Sequence, residues 1–234
     1  MALKRLNAAR PETLRRWLEF LEFSRRHQPP QWIFRGQRQH WPLRPSAGRS
    51  DRYEAARELQ LFNEFQRLAQ PLISNSMLLD YWDWLFIAQH HGLPTRLLDW
   101  TTNPLVAAYF ACLPTPNGKR RGEIIAVRVS DIGLLSSTDR DQGPFGIQKA
   151  SFVYPSAVAP RILSQRGLFS IHPDPSRNWI LRNKTVRFEI EAEDKERFLG
   201  YLYGIGVDAA MVMADVDGLA TNLRWRFETG RPIQ

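Results

Sequence analysis

The sequence predicts an α+β fold, and three observations point to it. Apolar residues recur at helical spacing in several segments of the first 111 residues. Alternation of apolar and polar residues comes later, in EIIAVRV and VRFEIEAE. Helices gathered ahead of strands, rather than alternating with them, argue against a parallel βαβ arrangement and for helices packed on a mixed or antiparallel sheet.

The elements follow in order. Leu14, Trp17, Leu18 and Leu21 lie behind Pro11, which suits the first turn of a helix ending near Arg26. QWIFRG reads as a short strand ending at Gly36, and WPLRPS as an extended loop. Asp51 is expected to cap a helix carrying Leu59, Phe62 and Phe65. Asp80 caps the next, which runs to about His90 and is stopped by Gly92 and Pro94. LLDW is a short strand, and Asn103 caps a helix through Ala111 with Pro104 at its first position. EIIAVRV (123–129) is a strand. RILSQRGLFSIH (161–172) reads as two short strands around Gly167. VRFEIEAE places Val186, Phe188, Ile190 and Ala192 on one face. Asp194 to Tyr203 is an amphipathic helix closed by Gly204 and Gly206, and AAMVMA is a last strand. Asp215 and Asp217 fit a turn and a helix cap better than a metal site. No repeat or linker interrupts the chain, so one domain is expected over 1–234, with a basic helix in 1–30 and the core in 31–225.

The chain has 234 residues, enough for a core without staples. Its one cysteine, Cys112, excludes an intramolecular disulfide and sits in an apolar run as a buried thiol. No apolar run is long enough to cross a bilayer and no signal-peptide core is seen, so a cytoplasmic protein without a membrane partner is expected. Residues 1–52 hold 12 Lys and Arg against 4 Asp and Glu, and the rest of the chain 20 against 20. The N-terminal excess suits contact with nucleic acid or a phosphorylated small molecule, and equally a solvated face.

The candidate site is AQHHGLPTRLLDWTTNPLVAAYFA, residues 88–111. A stretch built only for stability would not gather so many hydrogen-bonding groups. His90 and His91 diverge by roughly 100° on a helix, so one faces the pocket as a donor or acid/base and the other caps the helix. No zinc-binding spacing accompanies them, and no metal is expected. Thr95, Arg96, Asp99, Trp100 and Thr101 bracket the LLDW strand, with Arg96 and Asp99 free to pair. Trp100 suits either a stacking platform or the core. The helix begun at Asn103 offers its N-terminal amides to an anion. Arg35, beside Gly36, is placed to hold a phosphate or to pair with Asp99, with Gln37 in support. Gln165 is a further candidate ligand contact.

WIFRGQ, QHHGLPTRLLDWTTNPLVAAYFA and RILSQRGLF together resemble the FRG domain family, in that family's order over residues 32–169. A weaker similarity is to ADP-ribosyltransferases. Arg35 matches their first-strand Arg or His, and DWTT with NPLVAAYFA looks like their polar strand and following helix. RILSQRGLFSI looks like their third block, where Arg161 or its neighbour stands in place of the catalytic glutamate, and no Asp or Glu lies in 142–173. That resemblance implies an ADP-ribosyltransferase-like fold with NAD or a related nucleotide in a pocket lined by Arg35, His90, Thr95, Arg96, Asp99 and Thr101. Asp99 would serve as the substitute acid, and ADP-ribose would pass to a protein or nucleic acid, in a toxin or phage-defence setting. The alternative is a sensor that binds a nucleotide or nucleic acid without chemistry. A nuclease using His90 or His91 ranks last, for want of a paired acidic metal motif.

Overall fold

The structure, a computed structural model, describes residues 11–73, 78–115, 119–155 and 164–233. Six strands form one sheet: β1 (Trp32–Gln37), β2 (Leu97–Thr101), β3 (Gly122–Arg128), β4 (Ser151–Val153), β5 (Gly167–Ile171) and β6 (Thr185–Ile190). Their order is β4-β5-β2-β1-β3-β6, and every neighbouring pair is antiparallel. Nine α-helices are found among the described residues. They are α1 (Pro11–Arg26), α2 (Ala55–Ala69), α3 (Tyr81–His90), α4 (Pro104–Cys112), α5 (Val129–Ile132), α6 (Ser137–Asp141), α7 (Lys195–Gly204), α8 (Ala209–Met213) and α9 (Val216–Glu228). The α+β reading is correct. None of the described helices is long and apolar enough to cross a membrane.

Strand alternation assigns the side chains to two faces. On the front, Phe34, Ile124 and Ala126 pack under α4, with α7 against α4 and α1 over β6. Beside them Leu97, Phe169 and Ile171 pack under α2 and α3. On the back, Ile33, Leu98, Trp100, Ile125, Phe152 and Leu168 form a third core, covered by Leu43, Trp179 and Leu181. β3 is therefore buried on both faces from Gly122 to Val127, and its sequence alternation does not mark a solvated side.

Helix α4 lies unusually close to the sheet. A Cβ on Gly36 would stand 1.8 Å from the Ala107 carbonyl oxygen, and one on Gly122 2.1 Å from that of Ala111. Only glycine permits this approach.

Several expectations need correction. Helix α1 buries Trp17, Phe20 and Phe23, whose rings meet Phe198, Tyr201, Phe188 and Phe34, while Leu14, Leu18 and Leu21 face outward. An aromatic stripe with partners outcompetes a leucine stripe without them. Helix α2 starts after Glu54 without a side-chain cap, so Asp51 is not its N-cap. Leu59 is exposed, and the helix docks through Phe62 and Phe65. AAMVMA forms helix α8, capped by Asp208, instead of a strand. In 161–172 the described part forms a single strand, β5; Arg161 to Leu163 lie outside the described residues. Val186 on the edge strand β6 is exposed, while Phe188 and Ile190 pack inward. Asp215 does cap a helix, α9.

Candidate functional site

The sheet parts between β1 and β2. Those strands pair only at Phe34 and Thr101, whereas β2 pairs with β5 along its whole length and β1 with β3 along its own. Beyond Phe34 the two strands splay, and the Arg35 guanidinium fills the gap, donating from Nη1 to the Asp99 main-chain oxygen at 2.6 Å. A side chain thus satisfies a carbonyl that a ladder would otherwise have paired.

In front of the gap lies a cleft of about 530 Å³. Strands β1 and β2 form its floor, Gln89, His90 and Gly92 one wall, and Val106, Phe110 and Leu113 of α4 and its end another. Gln165 and Met213 close one side, and Arg38, Trp41 and Arg49 stand at the other.

Arg35 is held from two directions. Its Nε donates to the Gln37 Oε1 at 3.4 Å, and Gln37 is itself buried, donating to the Trp41 carbonyl and to Glu123 Oε1, both at 2.9 Å. Glu123 is buried too and takes His40 at 3.1 Å and Arg187 in an ion pair. Gln37 and Glu123 thereby anchor the root of Arg35. Its side chain is 13% exposed, and Nη1 lies 3.7 Å from the Asp99 carboxylate, which is 59% exposed. Burial pushes the Arg35 guanidinium below its ordinary pKa, Asp99 draws it back up, and Arg49 adds a downward push. Burial lowers Arg49 as well. The cleft thus carries partly desolvated positive charge.

The Asp99 carboxylate is positioned by Gln89, whose Nε2 donates to both of its oxygens at 3.0 and 3.1 Å. Thr95 holds Gln89 in turn, its hydroxyl donating to Oε1 at 2.5 Å. The chain Thr95–Gln89–Asp99–Arg35 ends at the cleft.

Of the residues singled out in the sequence, Arg35, Gly36, Gln37, His90, Asp99, Trp100, Thr101 and Gln165 line this one cleft. His90, not His91, faces it, and His91 is the C-cap of α3. Thr95 is buried off the cleft and acts through Gln89. Arg96 is also buried away from it, paired with Glu58 at 2.9 and 2.7 Å and lying over the Phe145 ring; it does not pair with Asp99. Arg96 precedes β2, and the guanidinium is taken up by Glu58 of α2 before the strand reaches the cleft. Trp100 belongs to the back core: its indole donates to Ser170 Oγ at 3.0 Å, and its ring meets Phe152 and Trp179 edge-on. Gly36 serves the approach of α4, not a phosphate. Thr101 donates to the Gln165 carbonyl at 2.6 Å and accepts from the Asn103 amide, shaping the turn into α4. Gln165 donates to the Val212 carbonyl at 3.0 Å. The α4 N-terminus offers no open amides, because Asn103 takes those of Leu105, Val106 and Ala107 itself.

Sequence reasoning missed Gln89, Arg38, Arg49 and Glu123. Gln89 stood in the quoted block, between the apolar helix and the two histidines, with nothing local to mark it. Within the basic N-terminal region the arginines of α1 are paired along the helix: Arg15, Arg16, Arg25 and Arg26 pair with Glu12, Glu19 and Glu22. Residues 1–10 lie outside the described residues.

No curated protein and no solved structure matches the chain. A family model does match, over residues 30–119, which run from β1 to the end of α4 and contain Arg35, Gln89, His90 and Asp99. The third resembling block, RILSQRGLF, falls beyond that span. The cleft is thus built mainly from the stretch that matches the model of the FRG domain family.

Proposed function

We propose that the cleft binds NAD or a related nucleotide and that the domain transfers ADP-ribose to a protein or nucleic acid. One observation carries this reading: a nearly buried arginine, flanked by Arg38 and Arg49 and facing a single carboxylate, opens into a cleft with an apolar wall. Three cations against Asp99 suit an anionic ligand, and Phe110, Val106 and Leu113 suit a ring. The volume falls within the roughly 300–1,000 Å³ of small-molecule sites.

NAD would supply a ribosyl–nicotinamide bond that breaks with its electron pair leaving on nicotinamide. Asp99 is placed to face the positive charge left on the ribose and to take the proton that the acceptor loses as the new bond forms. Arg35 and Arg49 would hold its phosphate oxygens, and His90, on the wall, would be a second proton-handling group.

The test is purified chain with NAD, reading nicotinamide release and label transfer with and without nucleic acid. Asp99→Asn and Arg35→Ala are expected to lose activity; full activity in both sinks the mechanism. A second reading, a nucleotide sensor without chemistry, is favoured by the grip of Gln89 and Arg35 on Asp99, which partly satisfies the carboxylate. It predicts nucleotide binding with no nicotinamide release.

A further inference from the structure

Helix α9 is fastened by one face and bare on the other. Inward, Gly218 lies against the Ala209 carbonyl, the Asn222 amide donates to Asp208 at 3.0 Å, and Trp225 meets the Tyr203 ring at 5.3 Å. Outward, Val216, Leu219, Leu223 and Phe227 are 80, 50, 36 and 76% exposed. Their spacing of three, four and four residues makes a single stripe along the helix. An isolated apolar residue on a surface is ordinary, but a continuous stripe on a capped helix is a contact surface.

Charges beside the stripe say what covers it. Asp217 lies in the first turn and Arg224 seven residues on, so they share one flank of the helix to within roughly 20°. Both are exposed, and neither enters an ion pair with any described residue. A second copy of the helix, laid antiparallel about a twofold axis, keeps this flank on the same side and reverses its direction. Asp217 of each copy then meets Arg224 of the other, twice per pair. A parallel pairing puts the two flanks on opposite sides of the seam, where Asp217 and Arg224 do not meet, and lacks these contacts.

We propose that α9 is a homodimer interface, with two copies of the chain packing their Val216–Phe227 stripes antiparallel and closing two Asp217–Arg224 pairs across the twofold. The contact is isologous, so it closes at two copies and does not extend into a filament. One helix pair is smaller than a standard interface, and the dimer forms at micromolar concentrations.

Sedimentation equilibrium on the full chain, from low to high micromolar, tests this. The wild type is expected to pass from monomer to dimer. Phe227→Glu is expected to remain monomeric with an unchanged circular dichroism spectrum. Asp217→Arg and Arg224→Asp each turn two attractive pairs into repulsive ones, raising the dimer dissociation constant on the order of tenfold. The double exchange, Asp217→Arg with Arg224→Asp, restores the wild-type constant. A wild-type chain that stays monomeric throughout, a dimer indifferent to Phe227→Glu, or a double variant as weak as the singles would each overturn the proposal.

Discussion

Arg35 holds the backbone of Asp99 more closely than its carboxylate: Nη1 lies 2.6 Å from the main-chain oxygen and 3.7 Å from Oδ2. The guanidinium is thereby fixed across the opening between β1 and β2 with part of its donor fork still turned to the cleft. Arg35→Lys keeps the charge and loses the fork. Nucleotide affinity, measured by calorimetry, is expected to fall about tenfold or more, with little change in melting temperature.

Gln89 connects Thr95 to both oxygens of Asp99. Gln89→Leu frees the carboxylate without touching Arg35. Under the transfer reading, kcat is expected to drop on the order of tenfold while KM for NAD holds, because orientation is lost and binding is not. Gln89→Glu places a second carboxylate against Asp99. Like charges repel, so this variant is expected to lose more kcat than Gln89→Leu.

The buried pair Glu58–Arg96 ties α2 to the start of β2. Glu58→Gln keeps the shape and strands the arginine charge. Urea unfolding is expected to show a loss of about 3–5 kcal/mol, the cost typical of breaking a buried pair from one side.

His172 is buried, with Nε2 and the Ser170 hydroxyl 2.9 Å apart and its ring edge-on to Trp179. Burial, then the positive charges of Arg35 and Arg96, pull its pKa down to about 3 from the ordinary 6.5. In the unfolded chain it takes a proton near 6.5. Between those values the unfolded state binds the extra proton, so this contribution to stability is complete above pH 6.5 and is lost as pH falls toward 3. Denaturant midpoints at acid and neutral pH should therefore differ less in His172→Gln than in the wild type. Equal slopes would show that His172 does not contribute.

Gly36→Ala puts a methyl group 1.8 Å from the Ala107 oxygen. Both partners are backbone, so neither side chain can move aside. The cost is expected to exceed the roughly 1–3 kcal/mol of ordinary overpacking, and soluble folded protein, judged by yield and circular dichroism, should be largely lost.

The helix boundaries of α1, α3 and α4 were readable because their signals are local: Pro11, the Asp80–Asp83 capping box, and Asn103 before Pro104. β1 and β2 were readable from their short apolar runs. The direction of helix faces was not. Whether Leu18 or Phe20 is buried depends on Phe198 and Phe188, which come far later in the chain. AAMVMA has strand-like composition, yet Asp208 and a following helix decide otherwise. The site divides in the same way. Arg35, His90 and Asp99 stood out as chemistry-bearing residues and do meet. Arg96 looked equivalent to them and is not, because its partner Glu58 lies 38 residues away with no pattern linking the two.

The third core, behind the sheet, is continuous where the front is divided. Ile33 and Ile125 on one side of the opening and Leu98, Phe152 and Leu168 on the other share it, with Trp100 and Trp179 between them. The two halves of the sheet are thus riveted at the rear and free at the front, as in a book held by its spine. The angle at which the cleft stands open is set by the bulk of aromatic rings packed behind the sheet.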